Sequence, residues 1–266
     1  MSRWQAVSLG LLPLADRMSP VPKMMITRFF AAALVAGLAL GQATQARATE
    51  TGVFDISLGG IRAAVVQYAA NTEGNRYAVT GKMNTTGLLG AVVRASYEAT
   101  ARGTEPRPGQ YRPTSFTEVR DASKEVSRAE MLFRSGRPQI KTYDPPRKSD
   151  RHAVDPATQS GTVDPMTVIY AALRDQPRER VCDLSLQVFD GKRRSEVRLS
   201  DPAEASDGRI TCQGVYRRIA GWSPESLAER SRFPFQMTYA PKGEGVWRVV
   251  RVTTDTTFGR AVLQRR

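Results

Sequence analysis

The 266 residues carry 39 Lys or Arg against 26 Asp or Glu, a net charge of +13, with 41% hydrophobic residues, enough for a single well-buried domain. A single histidine excludes a zinc site built on two His ligands, and alone in a charged loop it marks no recognisable triad. The basic balance points either to an anionic partner or to a solvated, soluble surface.

Residues 1–24 hold Pro13, Pro20 and Pro22 without clear periodicity, and Met18, Met24 and Met25 each offer a start, so this stretch reads as an extension ahead of the true start. Residues 25–48 have the grammar of a secretory signal peptide: Arg28 as the basic head, an apolar run from Phe29 to Leu40, and Ala46-Arg47-Ala48 as the cleavage site. The apolar run falls short of the about 20 residues a membrane helix needs. A periplasmic domain of residues 49–266 is expected. There its charge meets no nucleic acid; it meets lipid headgroups, lipopolysaccharide phosphates or cell-wall carboxylates, a peripheral contact with an anionic membrane or wall.

From Thr49 onward the dominant pattern is period-two alternation broken by Gly, Asp and Pro, the mark of half-buried antiparallel strands. Phe54, Ile56 and Leu58 share a face, Gly59-Gly60 turns the chain, and Tyr77, Val79 and Met83 continue the pattern after a turn at Glu73-Gly74-Asn75. Further strands are expected at 92–102, 113–121, 124–134 and 138–143. Residues 144–163, with Pro145, Pro146 and Pro156, form a loop. Asp164 is then a good N-cap and Pro165 a good first helical residue, and Met166, Ile169, Tyr170 and Leu173 recur at helical spacing, which predicts one helix with Arg174 beyond its apolar stripe. Strands resume at 184–188 and 197–199 around a turn at Asp190-Gly191, then at 210–219, 235–240, 247–254 and 258–264, with a Ser/Pro/Glu-rich segment at 223–232.

Cys182 and Cys212 are expected to form a disulfide in an oxidising compartment. With Gly191 and Lys192 as the hairpin turn, Cys182 lies opposite Asp201, and Cys212 sits on the next strand but one. Strands two apart are about 10 Å from each other, beyond the about 7 Å a disulfide allows. The bridge therefore requires a curled sheet or an end to the middle strand at Asp201-Pro202, because proline cannot donate to a central ladder.

No G-x-S-x-G, G-x-G-x-x-G, P-loop or H-E-x-x-H motif occurs, and no catalytic residue, metal ligand or cofactor is assigned. His152 lies in the charged loop beside Arg151, and the carboxylates Glu130, Asp183, Asp190, Asp207 and Glu244 sit at turns or out of the apolar phase, where a solvated face explains them. Arg-rich patches at 147–151, 192–194, 217–218 and 265–266 read as charges that protect edge strands rather than as four anion sites.

Several short motifs resemble an exported bacterial family known as domain of unknown function 3108. They are 58–63 (LGGIRA), Thr86-Gly87-Leu88, Asp164-Pro165, 189–194 (FDGKRR), Ile219-Ala220-Gly221-Trp222 and Phe258-Gly259. The chain departs from the family's pattern at Val249-Val250, where a proline is common. The resemblance implies a β-rich envelope protein and carries no activity with it.

The expected fold is all-β and mostly antiparallel, an open or closed barrel-like sheet of about a dozen strands with one helix packed on it. The expected function is binding of an apolar ligand, a lipid or a partner peptide of the envelope on the concave surface, with Tyr77, Met83, Phe133 and Tyr170 as candidate lining residues. A carboxylate-based hydrolase of cell-wall glycan and a purely structural interaction module are the alternatives. A lined pocket would favour the first, paired carboxylates in a cleft the second, and a solid core the third.

Overall fold

The computed structural model describes residues 47–92, 94–122, 125–146 and 150–266. The extension and nearly all of the signal segment lie outside the described residues. Strands β1 (Arg47–Leu58), β2 (Ile61–Glu73), β3 (Arg76–Thr85), β4 (Ser96–Arg107), β5 (Gln110–Asp121), β6 (Val126–Arg134) and β7 (Arg137–Asp144) form a meander. After a two-residue strand, β8 (Gln176–Pro177), a second meander runs through β9 (Leu184–Phe189), β10 (Arg194–Glu204), β11 (Ile210–Ala220), β12 (Arg232–Gly243), β13 (Val246–Thr256) and β14 (Gly259–Arg265). Antiparallel pairing of β1 with β14 joins the two into a single sheet in the order β7-β6-β5-β4-β3-β2-β1-β14-β13-β12-β11-β10-β9, while β8 pairs with β13.

A sheet of this many strands buries its apolar face only by curling. The sheet is mostly antiparallel and nearly closed, with β7 and β9 as its edges. The segment before the long helix straps the seam between them. The amide of Val154 donates to Lys192 O at 3.0 Å, that of Gly161 to Gly136 O at 3.0 Å, and Val163 exchanges hydrogen bonds with Gln187 O and the Phe189 amide at 2.8 and 2.9 Å. Proline-rich and short of alternation, this stretch cannot make a strand, yet it satisfies the edge of β9 with single backbone bonds.

Helix α2 (Pro165–Leu173) starts where the cap at Asp164 and the proline after it led one to expect, but it runs inside the curl instead of lying on the sheet. Its burial is not confined to one stripe, because strands surround it. Tyr77 of β3 donates to or accepts from Thr167 Oγ1 at 2.9 Å, Tyr68 of β2 donates to Leu173 O at 3.0 Å, and Tyr239 of β12 reaches Ala172 O at 3.5 Å. Gly81 of β3 leaves room for Met166: a Cβ there would stand 2.6 Å from the methionine sulfur. Phe54, Phe116, Phe189, Ile210 and Val249, all fully buried, complete a core that the helix fills.

Three local expectations change. The strand expected from residue 92 begins at Ser96, because α1 (Gly87–Val92) intervenes, opened by Gly87 in the left-handed region at φ 63° and tied by the Thr86 amide to Ala63 O. The Ser/Pro/Glu segment contains α3 (Pro224–Glu229), capped by Ser223 as α2 is by Asp164. The disulfide between Cys182 and Cys212 is present with Cα atoms 5.4 Å apart, but β10 does not end at Asp201-Pro202. Instead β10 bulges there, with Asp201 at φ 51° and the register slipping between Ser200 and Ala203, while the β9–β10 ladder stops at Leu184–Leu199. The bulge, not a strand end, lets the sulfurs meet.

Candidate functional site

The antiparallel register puts alternate connections at opposite ends of the barrel. One end carries the β1–β2, β3–β4, β5–β6, β9–β10, β11–β12 and β13–β14 connections; we call it the upper end. All of the motifs that carry the family resemblance are turns at this end or open the helix near it, and glycines explain why. A Cβ on Gly191 would run into the Tyr143 hydroxyl of β7, and one on Gly221, at φ 94°, would stand 2.8 Å from Arg193 Cα and Lys192 O, so no side chain fits at either position. The 189–194 turn is thereby clamped between β7 and the 219–222 turn. Asp190 Oδ1 shapes it further by accepting the Lys192 and Arg193 amides at 2.9 and 2.8 Å.

Two hollows open on either side of this turn, and Arg193 lines both. The first, about 550 Å³, lies between β5, β6, the end of β7 and the turn. Its buried carboxylate, Glu118, is held by the Tyr97 hydroxyl at 3.1 Å and by Arg120 Nη2 at 2.9 Å, and Lys192 pairs with Asp150 at its rim. Its charges are thus largely spent on one another.

The second hollow, about 590 Å³, lies between β11, α3, β12 and the β13–β14 turn. Its wall is a ladder of alternating cations and rings. The Arg193 guanidinium stands 5.3 Å from the centre of the Trp222 ring, Arg218 lies 5.5 Å from the same ring and 4.8 Å from that of Phe233, and Arg230 covers Phe233 at 4.6 Å. Tyr216 extends the row, 5.8 Å from Phe233. None of the three arginines forms an ion pair among the described residues. Arg218 donates to the carbonyls of Ser226 and Arg230, which anchors α3, and Arg230 donates to Arg232 O at 3.3 Å. Arg193 Nε is buried without a hydrogen-bond partner among the described residues. Stacked guanidiniums keep their in-plane N–H groups free for carboxylate or phosphate oxygens, and the rings strengthen the site for cations that stay unneutralised.

The sequence missed this site. Arg193 and Arg218 belong to two of the four basic patches read as edge protection, but β11 is an interior strand and the two patches converge. Within the four patches, Arg217 pairs with Glu196, Lys192 with Asp150 and Arg266 with Asp55. Alternating Arg and aromatic positions at 216–222 and 230–233 were the available signal.

The four residues proposed to line a concave pocket are not gathered round a hollow. Tyr77 stacks on Tyr170 with ring centres 5.7 Å apart, Phe133 is buried in the core, and Met83 is half-buried on β3. Three carboxyls, Glu118, Glu125 and Asp190, line the first hollow, but Glu118 is held by Tyr97 and Arg120 and Asp190 by the amides of its own turn. Burial pushes Asp164 up to about 6 against the bonds it accepts from Thr167, but it has no exposure. Burial also raises Glu50, against hydrogen bonds from Tyr68 and the Asp175 amide, near the opposite end of the helix. His152 sits in the seam strap with its Nε2 accepting from Arg151 at 3.0 Å. Among the described residues no group of three or more His, Cys, Asp or Glu could hold a metal ion.

Fold and site together define a helix-filled, barrel-like β domain with an open cationic-aromatic groove and no assembled catalytic centre among the described residues. The profile of a family described as "Protein of unknown function (DUF3108)" matches residues 53–205, and the chain belongs to that family. Among solved structures it is similar to a β-barrel-like protein of domain of unknown function DUF1849 from Brucella abortus, at 10% identity and a TM-score of 0.44, over 84% of this chain and 98% of that one. No curated protein matches.

Proposed function

We propose that this is an exported envelope protein that acts by binding, and that it takes an anionic group of an envelope component on the outside of its barrel rather than a ligand in its concave face. The observation that carries the reading is the ladder of Arg193, Trp222, Arg218, Phe233 and Arg230 around an open groove, three guanidiniums that form no ion pair among the described residues although Glu229 and Asp255 also line it. The concave face is a poor alternative, since α2 and the tyrosines packed on it occupy that space. Export is supported by the signal grammar of residues 25–48 and is compatible with the disulfide.

The test is a titration of the purified protein with glycerophosphoglycerol, a soluble anionic headgroup, followed by tryptophan fluorescence. The expected result is a saturable change that disappears in Trp222→Phe and is strongly weakened in the double variant Arg193→Gln, Arg230→Gln. An unchanged titration in both variants would overturn the reading.

A further inference from the structure

Four large apolar side chains stand exposed among the described residues: Ile61, Val119, Val126 and Phe258. All four belong to connections of the upper end or to the strand turns beside them. Scattered exposed hydrophobics are ordinary, but collection at one end of a barrel is not. Ile61 is 58% exposed and Phe258 80%, and their two turns touch, since the Gly59 amide donates to Arg260 O at 3.0 Å. Phe258 follows directly on Thr257, which lines the cationic-aromatic groove. The Phe258 amide is held by Thr256 Oγ1 at 3.1 Å, and this fixes the tip without covering its ring.

From this juxtaposition we infer that the upper end docks on an anionic phospholipid bilayer, with Phe258 and Ile61 entering the interface and Arg193, Arg218 and Arg230 of the groove taking the phosphate of a headgroup. The inference rests on the anion-binding reading of the groove and names its source. Two features select this occupant. A protruding aromatic tip beside an aliphatic one suits the boundary between headgroups and acyl chains, where aromatic rings are favoured. Unneutralised arginines beside those tips match a negative surface, which attracts basic side chains only within about a Debye length. Two carboxylates also line the groove: Asp255 is paired with Arg260 at 3.1 Å, and the exposed Glu229 forms no ion pair among the described residues.

Co-flotation of the purified protein with vesicles of equal parts phosphatidylglycerol and phosphatidylcholine, against vesicles of phosphatidylcholine alone, tests this. The expected result is binding to the anionic vesicles only, release at about 1 M salt where the screening length is about 3 Å, and about tenfold weaker binding for the double variant Ile61→Ser, Phe258→Ser. Both side chains are solvent-exposed, so the fold should survive, and the double variant should keep the fluorescence response to glycerophosphoglycerol. A wild-type protein that answers the soluble headgroup but ignores the vesicles, or a double variant that floats like wild type, would overturn the docking and leave the groove's anion binding standing. Failure of both arms would overturn both.

Discussion

Asp164 combines two roles that ordinarily conflict. Its Oδ1 accepts the Thr167 amide at 2.8 Å to start α2, and its Oδ2 accepts the Thr167 hydroxyl at 2.6 Å, yet the whole residue is buried inside the barrel. Burial raises its pKa to about 6, above the roughly 3.9 of an unfolded chain. The fold therefore holds a proton that the unfolded chain has already released, so this residue's contribution to stability falls as pH rises from about 4 through about 6. Asp164→Asn keeps the cap and removes the titration. Thermal melts should show the variant gaining on wild type across that window; a difference independent of pH would mean that Asp164 ionises alike in both states. Arg174, expected to be replaceable, instead ties the helix end to the sheet. Its Nη1 donates to Glu105 at 2.6 Å and to the Tyr111 hydroxyl at 3.1 Å, and the guanidinium lies over Tyr170. Arg174→Ala leaves a mostly buried carboxylate without its cation, and denaturant unfolding should register a loss on the order of 1–3 kcal/mol. Arg174→Lys should recover part of it.

Strand turns and the start of the main helix were legible wherever a local rule decided them. The Gly59-Gly60 and Asp190-Gly191 turns, the Asp164-Pro165 helix start and the β9–β10 register all follow from short-range chemistry, although the ladder stops at Leu184–Leu199, short of Cys182 and Asp201. Helix α3 uses the same Ser/Asp-then-Pro start but is too short to show an apolar period, and α1 hides in an apolar stretch that also suits a strand. The bulge at Asp201-Pro202 was not legible, because proline excludes a ladder bond without saying whether the strand ends or bends. The bridge across that bulge, 30 residues apart in sequence, should stabilise by about 3.5 kcal/mol on the chain-entropy account. Cys182→Ser and Cys212→Ser are each expected to lower the melting temperature equally, with the double variant no worse than either. Equal melting of wild type and variants, with the disulfide verified by peptide mass spectrometry, would contradict this.

At the scale of the whole molecule, composition and alternation foretold a barrel-like β sheet with one prominent helix, but not that the helix would fill it. Whether Tyr77 and Tyr170 line a cavity or meet each other depends on the curvature of the sheet, which no local pattern encodes. The groove was hidden for a related reason. Arg193, Arg218 and Arg230 lie in three separate segments and become neighbours only through the β10–β11 and β11–β12 pairings. The molecule thus divides its space: the interior belongs to the protein's own helix, and the proposed partner meets the upper end from outside. Amide hydrogen exchange read by mass spectrometry, with and without anionic vesicles, tests this division most directly. The expected result is added protection confined to residues 58–63, 189–194, 216–233 and 254–260, with 165–173 equally and strongly protected in both conditions. Exchange that speeds or slows chiefly in 165–173, with the outer segments unchanged, would place the ligand inside the barrel and overturn this division.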